Sequence, residues 1–346
     1  MKNRPFIGIL VAKRSSRKKT LALYQRYHHL NLKLYTFTSE DILWKEQRIK
    51  GLSLEKGLTK QNSFPFPHVV YNRCFSKNLL TIQRLEKAIG KNKCFNSINF
   101  FNKWELYNLL KESDLKGYIP DTFSYPDADV SELLEKYRLI YIKPTYGVKG
   151  ESVYRVKVMD HGDIHISMHS LAPRYICRKN ENIQEKLASV LGHHNHYMVQ
   201  EGIDMFPVNH QYFDIRSLVQ KNILGEWEVS AITCRVAYKD YFNTSMCERI
   251  QDATELLPRL LSSELKNKVL QSLHEASVKA AQAAENHIGS LGELSVDFVL
   301  DTHKKLWIIE LNGKPQKSIY NDLKSLIAKK KVYSRPLEYA FYLSQL

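Results

Sequence analysis

Two strand-like runs near the C-terminal end, Leu294 to Leu300 and Lys305 to Leu311, restrict the fold more than any other stretch of the chain. Both carry β-branched and aromatic residues, and the Asp-Thr-His-Lys between them has the composition of a short turn, so a hairpin is predicted. Asp297 lies in the first strand; Glu310 and Asn312 end the second. Pairing would gather three oxygen-bearing side chains, a set suited to Mg²⁺, a hard cation that completes its shell with waters and substrate phosphates. Strand-end carboxylates are also often solvated or paired with lysine, and Lys304, Lys305 and Lys314 are nearby, so the hairpin alone leaves both readings open.

Upstream, Leu139 to Pro144 reads as a buried-type strand ending in Lys143-Pro144, followed by Thr145-Tyr-Gly-Val-Lys-Gly150 and a return strand from Ser152 to Val158. Such a strand, lysine and glycine-bearing loop can place an ammonium and several backbone N–H groups around a polyphosphate. It is not a Walker A loop, because no GxxxxGK[ST] is present and the loop leads into a strand. Glycines are common in hairpin turns, so the pattern is weak by itself.

Tyr197 to Ile203 is an apolar strand interrupted by Gln200 and Glu201. Asp214 and Arg216 share one face of a following strand, and Glu226 to Tyr238 returns carrying Arg235. Two arginines on neighbouring strands could clamp phosphate or carboxylate oxygens, or could pair with Asp214 and other carboxylates in a surface ladder.

The first third reads as a small α/β unit. Pro5 to Ala12 is an apolar run of strand length, Leu21 to Leu30 can form an amphipathic helix, and Leu32 to Phe37 and Val69 to Tyr71 are further strands. Pro65 and Pro67 argue for loop immediately before the last of these. Tyr71-Asn72-Arg73 then falls at a strand's C-terminal end, where open α/β sheets place ligand groups, although an ordinary strand end reads the same way. Asn102 and Glu105 have capping-box spacing at a helix start. Ser262 to His287 is the clearest helix, stopped by Gly289, and beyond Tyr320 one or two helices are expected, broken around Pro336.

Charge is lopsided. Residues 1–93 hold 20 Lys and Arg against 5 Asp and Glu, whereas residues 94–346 hold 31 of each. A basic N-terminal unit attracts acidic partners, but its residues follow no helix-turn-helix, zinc-finger or RRM pattern, and nucleic acid is not the expected partner. No apolar run reaches membrane-spanning length and the N-terminus does not read as a signal peptide, so the expected location is the cytosol. The five scattered cysteines have no CxxC spacing and are expected to be reduced; His193, His194 and His196 lack a partner cluster for a metal.

Taken in order, these motifs resemble the ATP-grasp superfamily, and their wording is similar to its endospore coat-associated YheC/YheD branch. The resemblance rests on Tyr71-Asn72-Arg73, Phe101 to Leu110, Tyr118-Ile-Pro120, the Lys143 loop, Phe213-Asp-Ile-Arg216 and Trp307 to Pro315. It implies an α/β (α+β) ATP-grasp fold: a basic N-terminal domain over residues 1–95, a central and lid subdomain over 96–200, and a C-terminal subdomain with the metal hairpin over 201–346. It also implies an ADP-forming carboxylate–amine ligase working through an acylphosphate, or a non-catalytic ATP-binding coat scaffold on the same fold.

By the same resemblance, Lys103 and Lys143 contact the ATP phosphates and Gly147 to Gly150 closes over them. Gln200, Glu201 and Ile203 lie along adenine and Asp214 toward the ribose. Arg216 and Arg235 face the substrate or γ-phosphate, with Asn243 beside them, and Asp297, Glu310 and Asn312 hold Mg²⁺. The implied partners are a small-molecule or peptide carboxylate and spore coat proteins, with a mother-cell location at or near the coat. One departure stands out: the loop Phe242 to Glu248 has Asn243 but lacks the paired glycines usual after the second arginine strand.

Overall fold

The computed structural model describes residues 4–55, 57–74, 80–147, 150–192, 196–321, 323 and 325–346. Three sheets follow one another along the chain. The first contains β1 (Phe6–Leu10), β2 (Lys33–Phe37), β3 (Ile42–Leu43), β4 (Arg48–Glu55), β5 (Leu58–Pro65), β6 (Val69–Asn72) and β7 (Cys94–Phe95). Its order is β3-β4-β2-β1-β6-β7, with β5 added on β4. β1 runs parallel to both β2 and β6, so its Ile7 and Ile9 face one core and Leu10 the other. A strand covered on both faces accounts for the unbroken apolar run seen in the sequence.

The loop expected immediately before β6 is present over residues 66–68, and the stretch ahead of it forms a hairpin. β4 and β5 pair from Arg48 with Pro65 to Glu55 with Leu58, and Gly57 supplies the positive φ of the turn at +80°. Pro65 ends an outer strand, where its missing N–H breaks no ladder. The alternation was hidden because the inward positions include Gly51 and Ser53 rather than large apolar residues.

The second sheet comprises β8 (Thr122–Ser124), β9 (Leu139–Pro144), β10 (Tyr154–Val158), β11 (Ile164–Met168), β12 (Pro173–Cys177) and β13 (Tyr197–Glu201), in the order β12-β11-β10-β9-β13-β8. Helices over Val130–Tyr137 and Ile183–Leu191 cover it through Leu134, Leu187 and Leu191. The third contains β14 (Phe213–Lys221), β15 (Trp227–Ala237), β16 (Cys247–Asp252), β17 (Glu293–Leu300) and β18 (Leu306–Asn312), in the order β16-β15-β14-β17-β18. The predicted C-terminal hairpin is β17–β18, and the long predicted helix spans Ser263–Ile288, with Ser262 capping Leu265 N. Its Leu273, Ala280 and Ala284 stripe packs on the third sheet.

The last helix, α1 in the labelling used here (Leu326–Gln345), is one continuous element with Pro336 inside it, not two pieces. Proline at 336 deprives the Val332 carbonyl of its helical partner. That carbonyl accepts instead from Gln220 Nε2 at 3.0 Å and Lys317 Nζ at 3.1 Å, which compensates for the lost bond. Val332, Leu337 and Ala340 of α1 share a core with Ile7, Val69 and Tyr71 of the first sheet and Leu218 of the third. The chain's last helix thus joins its first sheet to its third.

Candidate active site

All fourteen residues singled out from the sequence line one cavity of about 970 Å³. Its walls come from the second and third sheets, with further residues from the first sheet's end of the molecule.

Antiparallel pairing sets Asp297 opposite Glu310 and Ser295 opposite Asn312, so Asp297, Glu310 and Asn312 fall side by side. A bulge follows immediately, between Asp297 and Phe298, where a shift in register re-aims neighbouring side chains. Asn312 Nδ2 lies 3.4 Å from Asp297 Oδ2. Two carboxylates and an amide are hard oxygen donors and fit a divalent cation that keeps waters in its shell. Among the described residues no cluster of three or more His, Cys, Asp or Glu offers an alternative metal site.

The arginines sit differently from the sequence expectation. Rather than standing free toward a ligand or forming a surface ladder, both are buried and paired with the acids of their own sheet. Arg216 donates from Nε to Asp297 Oδ1 at 2.6 Å and from Nη2 to Oδ2 at 2.5 Å. Arg235 grips Asp214 through Nε and Nη2 and reaches Asp297 Oδ2 at 3.1 Å. The cause is register: Asp214 lies opposite Arg235, and Arg216 opposite Asp297. Burial would raise the Asp297 pKa, but Arg216 and Arg235 outweigh it and hold the carboxyl below its usual range. Asp214, expected toward a ribose, also accepts from Thr244 Oγ1 at 2.6 Å.

The two lysines come from different elements and lie near the same carboxylate, Glu310. Lys103 opens the helix Lys103–Lys111, whose Asn102 cap accepts from Trp104 N at 3.0 Å and donates to Glu105 Oε1 at 2.9 Å. Its Nζ donates to the Gly147 carbonyl at 2.8 Å and pairs with Glu310 at 3.2 Å. Lys143, near the end of β9, donates to Gln200 Oε1 at 2.5 Å, and Gln200 in turn donates to Thr122 Oγ1 at 3.1 Å. Burial is the main cause lowering the Lys143 pKa to about 8, with Glu310 opposing and Lys103 reinforcing the shift. Glu201 accepts from Asp121 N at 3.1 Å, and Ile203 is buried against the cavity.

A profile of the family described as YheC/D like ATP-grasp matches residues 91–343. The chain belongs to the YheC/D-like ATP-grasp family. Two Bacillus subtilis (strain 168) proteins are related to it. Endospore coat-associated protein YheD is 27% identical over 322 residues, covering 90% of this chain and 70% of YheD. Endospore coat-associated protein YheC is 23% identical over 339 residues, covering 93% and 91%. Among solved structures, the ATP-grasp ligase PsnB, complexed with minimal precursor, Mg and ADP, superposes with a TM-score of 0.57 at 15% identity, covering 100% of this chain and 99% of that one. The D-alanine-D-alanine ligase from Coxiella burnetii gives 0.53 at 12% identity, covering 97% and 96%. At those identities the likeness is one of fold.

Within this ATP-grasp fold, Gly147 and Gly150 flank residues 148 and 149, which lie outside the described residues, as do His193 and His194. The loop without a glycine pair is closed by Asn243 itself: its Oδ1 accepts from Ser245 N at 3.0 Å and from Ser245 Oγ at 2.6 Å. Asn243 Nδ2 meets His169 Nδ1 at 2.9 Å, tying this loop to the second sheet. No helix among the described residues is long and apolar enough to cross a membrane, and all five cysteines are free thiols.

Sequence reasoning missed several residues at the cavity's other end. Lys19, Lys314, Lys317 and Tyr333 line it there, beside Arg73. Arg73 Nη1 donates to Tyr71 Oη at 3.0 Å and pairs with Glu293 at 3.3 Å; Lys317 pairs with Glu293 at 2.7 Å. Tyr71-Asn72-Arg73 was the available signal for this end, but its acidic partner, Glu293, lies more than two hundred residues away.

Proposed function

We propose that the protein is an ATP- and Mg²⁺-dependent ligase that activates a carboxylate and joins it to an amine or related nucleophile, acting at the endospore coat. The observation that carries this reading is the meeting of Lys103, Lys143 and the Glu310 hairpin in one cavity. Lys103 and Lys143 would offer two ammonium groups to ATP phosphates, and Gly147 and Gly150 border the same cavity. Gln200, Glu201 and Ile203 offer a polar edge and an apolar contact for adenine, with Asp214 toward the ribose. Asp297, Glu310 and Asn312 would hold Mg²⁺, which when bound neutralises charge on the phosphate oxygens.

In the proposed reaction a substrate carboxylate oxygen attacks the γ-phosphorus, the bond to the β,γ-bridging oxygen breaks, and ADP leaves. The nucleophile then adds to the acyl carbon and inorganic phosphate departs. Arg216 and Arg235 line the cavity and, beyond their pairs with Asp297 and Asp214, would offset negative charge on the transferring group, with Asn243 bordering the same space. Incubation of the full chain with Mg·ATP and spore coat extracts should yield ADP together with a condensed product detectable by mass spectrometry, and Lys143→Met should lower both about tenfold at subsaturating ATP. ADP formation undiminished in Lys143→Met would sink the assignment.

A second reading, a nucleotide-binding coat scaffold without turnover, is favoured by one observation: Asp297 is already held by two buried arginines. It predicts saturable Mg·ATP binding with no condensed product from any coat fraction.

A further inference from the structure

Arg155 is a buried cation without an acid. It is 6% exposed, has no ion pair among the described residues, and its Nε is buried with no hydrogen-bond partner. Every other Asp, Glu, Lys and Arg buried among the described residues is ion-paired. A guanidinium cannot shed its proton in a protein, so Arg155 keeps an uncompensated charge in the interior, at a cost to stability.

Strand register shows where it points. Tyr141 of β9 lies opposite Gln200 on one side and Arg155 on the other, and Ser167 lies beyond Arg155. The four form one row across the face of the second sheet that carries Lys143. The other face of β10 turns Tyr154 and Val156 into the core under the sheet's helices. Gln200, Tyr141 and Lys143 line the cavity, and at the usual strand spacing Arg155 stands about 10 Å from Gln200 along the row. The Tyr141 ring meets that of Phe242, another cavity residue, at 5.7 Å. Burial pushes the Tyr141 phenol up to about 12 against the pull of Arg155, so this neighbour is neutral and does not balance the charge. Asp204 also acts on Tyr141, but it is exposed and makes no ion pair with Arg155.

The arginines that the sequence pointed to for a substrate already hold acids of their own, Arg216 with Asp297 and Arg235 with Asp214. We propose that Arg155 binds a carboxylate of the ligand that enters this cavity, at the far end of the row that begins at Gln200. The planar fork of a guanidinium donates to both oxygens of a carboxylate, and the bound anion would supply the countercharge that the fold omits. A charge that weakens the folded state and is nevertheless present fits a residue kept for binding. Naming the ligand as the acid substrate rests on the ligase reading; the carboxylate site itself is testable without turnover.

The probes are sodium acetate, inorganic phosphate and sodium chloride, added to the full chain at fixed ionic strength. One readout is the Nε–H resonance of Arg155 in protein carrying ¹⁵N-arginine, identified by its absence from Arg155→Met and Arg155→Lys; the other is the thermal unfolding midpoint. Acetate should shift the resonance saturably and bind about fivefold or more tighter than phosphate, and chloride should leave it in place. Acetate should raise the midpoint of the unaltered chain and of Lys157→Gln, an exposed charge on the same strand. The dependence should move to about tenfold higher acetate in Arg155→Met, and less far in Arg155→Lys, which keeps the charge without the fork. Without added anion the Arg155→Met midpoint should not fall below that of the unaltered chain, because a stranded charge has been removed. The absence of a saturable acetate shift, phosphate binding as tight as acetate, a destabilised Arg155→Met, or equal acetate responses in Arg155→Met and Lys157→Gln would each overturn the site. Competition between Mg·ADP and acetate would give Arg155 to the nucleotide and overturn it likewise. Selective acetate binding in a chain that forms no ATP-dependent product would uphold the site and overturn the ligase reading instead.

Discussion

Arg216 holds both oxygens of Asp297, at 2.6 and 2.5 Å, with the two side chains buried on adjacent strands. A residue expected to bind metal is thus also half of a buried ion pair, and its two roles can be separated by mutation. Asp297→Asn should cost about 3 kcal/mol of stability, because it leaves the arginines without their carboxylate. Glu310→Gln, which breaks a more exposed pair with Lys103, should cost less than about 1 kcal/mol. Both should abolish Mg²⁺-dependent nucleotide binding. Urea unfolding beside calorimetric titration of Mg·ADP measures the two effects; equal stability losses would show that the Arg216 pair is not what sets Asp297 apart.

Lys143 gives a pH dependence whose two signs oppose each other. Its pKa is about 8 in the folded protein, lowered chiefly by burial from 10.5. Between those values the unfolded chain carries a proton that the native one lacks, so this group's contribution to stability rises with pH across that window. Phosphate affinity runs the other way, since it needs the ammonium, and should decline as pH rises through about 8. Lys143→Met should lose on the order of tenfold in nucleotide affinity, one charge-assisted contact, and lose the pH response with it. Nucleotide titrations from neutral to alkaline pH test this; an unchanged alkaline slope in Lys143→Met would assign the response to another group.

At the other end of the cavity Lys317 serves the fold. Lys317→Met should destabilise by about 3 kcal/mol, because Glu293 keeps its charge in the interior and the Val332 carbonyl loses a donor. Adding Glu293→Gln should recover part of the loss. Denaturant unfolding of both single mutants and the double mutant would reveal the coupling, and strict additivity would argue against it.

Gly150 links the phosphate loop to the Asn243 loop. Its φ is +67°, and a methyl group there would fall 2.4 Å from Asn243 Nδ2. Gly150→Ala should cost about 1 kcal/mol of stability and should displace Asn243 from its contact with His169. In the proposed reaction, turnover should then fall further than nucleotide affinity. Steady-state kinetics beside ADP titration separates the two, and equal losses in both would place the defect in nucleotide binding alone.

What the sequence made legible was local. The β17–β18 hairpin and the strand leading into the Lys143 loop each rest on patterns within about twenty residues of chain, where alternation and turn chemistry speak directly. The cavity residues on both were noted there, and their roles came only from the resemblance to the ATP-grasp superfamily. The β4–β5 hairpin was obscure because two of the three buried positions of β4, Gly51 and Ser53, are small or polar, so the alternation carries little hydrophobic contrast. Pro336 misled for a different reason: its effect on the helix is offset by Gln220 and Lys317, which no local pattern connects to it. The pairing of Arg216 and Arg235 with Asp297 and Asp214 depends on which strands lie side by side, and the Arg73–Glu293 contact joins sheets from opposite ends of the sequence.

The helix Leu326–Gln345 has a consequence for biosynthesis. Its Val332, Leu337 and Ala340 complete the core over Ile7, Val69 and Tyr71. A ribosome delivers those strands well before the helix that covers their apolar face. The ordinary sequence, in which an N-terminal unit folds while the rest is still being made, is therefore interrupted here. Until that helix has left the exit tunnel, the nascent chain carries that face open to solvent or to a chaperone, and the basic end of the cavity takes shape only once the helix docks.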